Sequence, residues 1–440
     1  MKKLSFNFLG IASLLLLSAC SIGNIFDSNE APPLEGERIS VLELQKSLEP
    51  DDPVLESQGL LAPEEWMNEF WPQVGGYPNH SMQNLALGPG PLKKIWDADI
   101  GDGATDELPL ITQPVLFDGR IFTLDTDSNL SAFDIENGKT LWRIEVAAKD
   151  EDDSVIAGGI ASSGGYLFVT NGFNEVLAVN PANGDIIWRQ AIPAASRAAP
   201  TIMNDRVFVT TLDSRILALN PEDGRVLWEY AGISDDASLV GAPSPAANQD
   251  IVIAAFSSGE ITALRIENGS VAWSDNLSNI RGLGGISAIT DIRALPVIDK
   301  GIVIAISFSG RMVAIDERTG TRIWQREISG SQTPWVAGNH IFVLSSDNQI
   351  IALGRDTGAI RWVADLPRFD DDEPLMFTGP VLAGGRLIVA GTDGRMIELS
   401  PDNGKILREW DDGDTVTIPP IIAGGTLYIL SRNGTLSAYR

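Results

Sequence analysis

Few residues in this 440-residue chain have side chains suited to chemistry. It has two histidines, His80 and His340, and one cysteine, Cys20. Two imidazoles are too few for a His-rich metal centre. A Ser-His-Asp constellation would have to recruit one of them, and neither stands near a nucleophile signature. The chain has no GxSxG elbow and no phosphate-cradling loop, and "GLGG" at 282–285 falls in a long connection where glycine is common. A lone cysteine forms no disulfide within the chain and no C-x-x-C-H haem attachment, so no cofactor is expected. Carboxylates are the remaining supply. They cluster in "DIGDGATDE" (99–107), "DEDD" (150–153), Asp235–Asp236, "DDDE" (370–373) and "DDGD" (411–414). One such cluster could hold Ca²⁺, but a solvated loop accounts for each. The formal net charge of −27 argues against nucleic acid as a partner, because phosphate neutralisation needs clustered Lys and Arg.

Cys20 draws attention through its position. "MKKLSFNFLGIASLLLLSAC" has a basic start, an apolar run from Phe8 to Leu17 and small residues before the cysteine. That is an export signal, too short for a spanning helix. Its ending resembles a bacterial lipobox, which makes residues 1–19 a lipoprotein signal peptide and Cys20 the acylated first residue of the mature chain. Multiple acyl chains would anchor it stably, at about 0.8 kcal/mol per buried CH₂. Ser21 after the cysteine resembles the outer-membrane sorting pattern. Residues 20–63 then read as a lipidated, flexible tether, polar and proline-containing in "SNEAPPLEGER". Within it, 39–50 could form a short amphipathic helix or an added strand. Residues 64–91 are too aromatic for a free linker, and Trp66 and Trp71 are expected to dock this segment on the body.

The body, residues 64–440 with the docked segment included, repeats itself. Trp recurs at Trp96, Trp142, Trp188, Trp228, Trp273, Trp324 and Trp362, and an eighth copy, "KILR", puts Arg408 in the same place. From the second copy onward each is preceded by a turn of one kind, such as "DIENG", "NPANG" or "SPDNG", and by a small strand such as "LSAFD" or "VLAVN". Glycine permits positive φ there, and Asn, Asp or Thr before it can bond the local backbone. Each copy therefore holds four short antiparallel strands, A to D, with Trp on D. A lone four-stranded sheet cannot bury both faces, whereas stacking copies around an axis buries them all. The fold class is all-β, an eight-bladed β-propeller. Its final segment supplies strands A to C and stops at Arg440. The unpaired "PLKKIW" (91–96) supplies a D strand with no A, B or C before it. The N-terminal strand is expected to close the last blade and remove its open edge.

The motif "D/N-x-x-x-G-x-x-x-W" resembles the repeat of pyrroloquinoline-quinone-type propellers rather than WD40 repeats. Quinoprotein dehydrogenases of that type typically hold their quinone beside Ca²⁺ and a disulfide between adjacent cysteines, which a chain with Cys20 alone cannot form. Lipobox, tether and a cysteine-poor eight-bladed propeller together resemble the BamB family of the β-barrel assembly machinery. The resemblance implies a non-catalytic scaffold at the periplasmic face of the outer membrane. Its implied partners are the POTRA domains of BamA, other subunits of that machinery and unfolded outer-membrane proteins. The family's partner-binding stretches fall on two D–A connections here. "ASLVGAPSP" (237–245) keeps Leu239 and Gly241 and has Val240 where Arg is usual. "TDIRALPV" (290–297) keeps Asp291 and has Arg293 where a second Asp is usual. Ile292, like Leu239 and Val240, is expected to be exposed. The competing readings are a quinone-dependent periplasmic dehydrogenase and a generic periplasmic binding or sensor propeller.

Overall fold

The structure, a computed structural model, describes residues 48–51, 60, 62–149, 155–233, 243–278, 292–370 and 373–440. Among these residues there is no helix. The strands form eight four-stranded antiparallel sheets and one two-stranded hairpin (Phe369–Asp370 with Glu373–Pro374). Blade 1 illustrates the unit. Its strands A to D are Val115–Phe117, Arg120–Leu124, Asn129–Asp134 and Thr140–Glu145. Strands B and C are almost wholly buried, whereas D alternates between exposed and half-buried residues. Strand D is therefore the outer edge of each blade, and A the inner edge facing the axis.

The last blade is closed as the repeat requires. Strands Ile421–Ala423, Thr426–Leu430 and Thr435–Tyr439 are joined by Lys94–Asp99, which pairs antiparallel with the last of them. The closing strand runs three residues further than the "PLKKIW" segment suggests, because Asp97, Ala98 and Asp99 pair with Ser437, Leu436 and Thr435.

The Trp column packs blade against blade. In seven blades the D-strand Trp sits opposite an alanine of strand C, as in Ala132↔Trp142 and Ala352↔Trp362. Its indole N–H reaches into the next blade and donates to a carbonyl in that blade's C–D turn. Trp96 bonds Ile135 at 3.0 Å, Trp142 bonds Pro181 at 3.1 Å and Trp362 bonds Pro401 at 3.0 Å. The ring lies under the turn glycine: a Cβ on Gly138 would come within 2.6 Å of the Trp96 ring, at φ +70°. Both the backbone conformation and the close approach require glycine there. The glycine and the Trp of one copy thus serve different neighbours: Gly138 covers Trp96 of the blade before, and Trp142 lies under Gly184 of the blade after.

The segment 62–92 follows no repeat. It crosses the inner strands on the face of the A–B and C–D turns, opposite the longer D–A and B–C connections. Asn68 accepts from Gly424 N and donates to Ile422 O in blade 8. Trp71 exchanges both backbone bonds with Leu116 of blade 1 (2.8 and 2.9 Å), and Pro72 O accepts from Ser162 of blade 2. The Gln73 amide makes both bonds to Ile202 of blade 3. Pro78 and Asn79 carbonyls take Ala247 of blade 4 and Ile298 of blade 5. Gln83 accepts from Trp335 Nε1 and Gly338 N of blade 6, and Leu85 bonds Leu382 and Gly384 of blade 7. In eighteen residues, 68 to 85, the chain visits all eight blades in cyclic order. The ring so formed is filled, since Met82 and Trp71 are each 1% exposed, Met82 lies against Gly76 and Trp66 stacks on Tyr77.

Candidate functional site

His80 belongs to the segment just described, at φ +58°, and its Nδ1–H donates to Pro296 O at 2.7 Å. Burial lowers its pKa to about 4. His340 opens strand B of blade 6, and burial, assisted by the Arg361 charge, lowers it to about 4 as well. Both imidazoles are thus held neutral at pH 7. Among the described residues no group of three or more His, Cys, Asp or Glu could hold a metal ion.

The acidic connections lie on the D–A face, and their described carboxylates serve the local chain. Asp99 caps Gly101 N at 2.8 Å, and Asp411 caps Gly413 N at 2.7 Å. Asp125 accepts from the backbone N–H groups of Asp102, Asp127 and Asn129, while burial raises its pKa. Asp412 is buried against the hydroxyls of Ser431 and Tyr439. Asp150–Asp153, Asp235–Asp236 and Asp371–Asp372 lie outside the described residues.

The two D–A connections singled out in sequence rise from neighbouring positions on this same face. The first leaves blade 3 at Gly232–Ile233, where Ile233 N donates to the buried Glu260 carboxylate at 2.7 Å. Glu260 opens strand C of blade 4, at the end of its B–C turn, and also accepts from Tyr230 and Thr262 hydroxyls. The connection returns at Pro243, whose carbonyl accepts from Thr210 at 3.2 Å. The second leaves blade 4 at Leu277–Ser278, where Ser307 and Arg311 of blade 5 hold the two carbonyls at 3.3 and 2.8 Å. Each connection is therefore pinned at its stem by the next blade's B–C turn. Ile233 at the first stem is 63% exposed.

Of the residues singled out, Cys20, Leu239, Val240, Gly241 and Asp291 lie outside the described residues. Arg293 is exposed at the end of the second connection, where it has an interaction partner. Ile292 corrects the sequence expectation: it is fully buried, in the cluster that joins Ile253 and Leu277 of blade 4 to Val303 and Val313 of blade 5. Its apolar side chain fills the wedge between two blades instead of facing solvent.

Residues 126–364 match the family model described as "Outer membrane protein assembly factor BamB". That stretch is more than half of the chain. The chain belongs to the BamB family. The Salmonella typhimurium BamB is 29% identical over 349 residues, 78% of this chain and 88% of the relative. The crystal structure of Moraxella catarrhalis BamB superposes with a TM-score of 0.66 at 20% identity, covering 79% of this chain and 99% of that one. The quinohemoprotein alcohol dehydrogenase of Comamonas testosteroni superposes with a TM-score of 0.64 at 12% identity, covering 84% and 80%. At that identity the likeness to the dehydrogenase is one of fold, and fold does not carry function. BamB relatives are outer-membrane protein assembly factors, and this chain shares their eight-bladed architecture.

Sequence reasoning missed two features of the site. Glu260, which anchors the first connection, reads in sequence as an ordinary strand-start carboxylate. The circuit of 68–85 left only an aromatic-rich composition as its trace.

Proposed function

We propose that the chain is a non-catalytic scaffold of outer-membrane protein assembly, anchored through a lipidated Cys20 at the periplasmic face of the outer membrane. Its D–A face binds the POTRA domains of BamA through the connections 232–244 and 277–293. It works alongside other subunits of the machinery to assist folding and insertion of β-barrel proteins. Leu239, Val240, Gly241, Asp291 and Arg293 are the residues proposed to meet BamA. The observation that carries this reading is the pairing of BamB family membership with two adjacent connections pinned on one face. A rigid propeller presenting neighbouring loops is a common basis for binding. Exposed Ile233 and Arg293 flank the proposed surface with one apolar and one charged group, the mixture that suits an interface centre and rim.

A quinone-dependent dehydrogenase is the rival that the fold permits. A single cysteine rules out the adjacent-cysteine disulfide of such enzymes. His80 is buried and bonded to Pro296 O, and His340 is half-buried at the start of a strand. The deciding experiment is affinity capture from solubilised outer membrane with the tagged chain. Recovery of BamA in stoichiometric amount is the expected result. Absence of BamA, together with dye-linked dehydrogenase activity after addition of quinone and Ca²⁺, would transfer the assignment to the rival.

A further inference from the structure

We propose that residues 68–85 are a second closure of the ring, acting at the axis, independent of the closing strand that acts at the rim. The closing strand Lys94–Asp99 secures only the outer edge of blade 8, where it pairs with Thr435–Tyr439. The inner edge of that blade is strand Ile421–Ala423, and Asn68 holds it at Gly424 N (2.8 Å) and Ile422 O (2.6 Å). Three residues later Trp71 forms a two-bond bridge to Leu116 of blade 1. The junction between the first and last blades is therefore spanned at the hub by Asn68 to Trp71, without help from the strand at the rim. The rest of the segment extends the same grip to blades 2 through 7.

The chemistry suits a clamp. Inner strands are sheet edges with unpaired backbone donors and acceptors, and buried groups of that kind must be satisfied. The segment meets them with its own backbone at Trp71, Pro72, Pro78, Asn79 and Leu85, and with amide side chains at Asn68, Gln73 and Gln83. Gln and Asn amides both donate and accept, so one side chain can satisfy both groups of an edge residue. Asn68 and Gln73 are buried at 0% and 4% exposure, so their loss would leave unpaired groups. Because the segment precedes the closing strand, any load arriving from the N-terminal side meets the hub before it meets the rim.

The test uses the full mature chain and native-state hydrogen exchange. In Asp97→Pro/Ala98→Pro, one of the two prolines removes an N–H aimed at the neighbouring strand. The expected result is that the amides of Leu436 and Ala438, which face the closing strand, exchange at least ten-fold faster while those of Gly424 and Leu116 keep their protection. Equal acceleration of Gly424 and Leu116 would overturn the independence of the two closures. A second variant guards against misfolding. A site-specific protease sequence inserted after Gly88 is cut once the protein has folded. The N-terminal fragment is expected to co-elute with the propeller, with the Leu116, Ser162, Ala247, Ile298, Gly384 and Gly424 amides still protected. Departure of the fragment would overturn the clamp itself.

Discussion

Glu398 faces Arg408 across strands C and D of blade 7, the position occupied by Ala and Trp in every other blade. The exchange has a physical cause. Elsewhere the indole bonds a carbonyl just after the next blade's strand C and lies under the glycine of its C–D turn. The blade next to blade 7 is the last, where strand D comes from the N-terminal side and so is not joined to C by a turn. It has no C–D turn to receive an indole. Arg408 instead lies beside Gly90 and reaches the Glu398 carboxylate at 3.4 Å, while Arg386 stands 2.9 Å from that carboxylate and donates to Gly88 O at 2.7 Å. Charged groups on the blade hold the incoming segment where a turn is missing.

Glu398→Ala should therefore cost more than a typical surface change. The Glu398 and Arg386 side chains are 2% and 6% exposed. Removing the carboxylate leaves a buried guanidinium uncompensated, at a cost of about 3 kcal/mol or more. Arg408→Trp should not rescue the variant, because the indole N–H finds no turn carbonyl. Urea unfolding checks both, and a double variant as stable as the parent would refute the account.

Trp362→Ala should destabilise by about 3–5 kcal/mol, since the ring is buried and its N–H bonds Pro401. Leu141, one residue before its own blade's Trp, is 45% exposed, and Leu141→Ala should change stability by less than about 0.5 kcal/mol. Thermal or urea melts of the two variants side by side test whether the Trp column, rather than apolar content in general, holds the blades together.

The difference between these two residues also marks what was legible in sequence. Trp recurs with a glycine turn ahead of it because one packing solution is used around the ring, so blade count and closure could be read from spacing. Arg408 could be seen to break the pattern, but its reason depends on which blade it faces. The segment 68–85 left no periodic signal because it binds through carbonyls, backbone N–H groups and scattered amides. Ile292 was misjudged because neighbouring residues on an irregular connection turn to opposite sides, and only the three-dimensional wedge between blades 4 and 5 decides which is buried.

Stability should fall on mild acidification. The folded chain holds His80 at a pKa of about 4, chiefly through burial, against 6.5 for the ordinary group. Below pH 6.5 the unfolded chain takes up a proton that the folded chain refuses, so stability is full above 6.5 and declines toward 4. One such group gives a slope of up to about 1.4 kcal/mol per pH unit, or about 1.6 kcal/mol between pH 6.5 and 5. His340 is shifted in the same direction and adds to the decline. His80→Asn, which tolerates positive φ, should remove most of the His80 part. An unchanged slope in the variant, measured by urea unfolding across that range, would show that His80 is not the source.

Cys20→Ser tests the anchor. If Cys20 carries the lipid, the variant should leave the membrane fraction, either as a soluble chain or as an uncleaved precursor. Membrane association of a normally processed chain would contradict lipidation at this residue.

The partner surface is tested by comparing the two faces. Leu239→Asp or Arg293→Glu should weaken binding to isolated POTRA domains by at least about 1–2 kcal/mol, the scale of a central interface residue. Arg293 is exposed but has an interaction partner, so only variants with unchanged melts count. Ile292→Asp is unsuitable for this purpose, since it would bury a carboxylate between blades 4 and 5 and unfold the wedge. Glu136 and Glu222 are exposed in C–D turns on the opposite face, and Glu136→Lys or Glu222→Lys should leave affinity within about 0.5 kcal/mol. Charge reversal at Arg293 should also flatten the salt dependence of association if it steers the partner. Calorimetry on variants with unchanged melts decides the matter. Loss confined to the D–A face supports the proposed side, whereas equal loss from both faces, or loss from the tight-turn face alone, would move BamA to the other side of the disc.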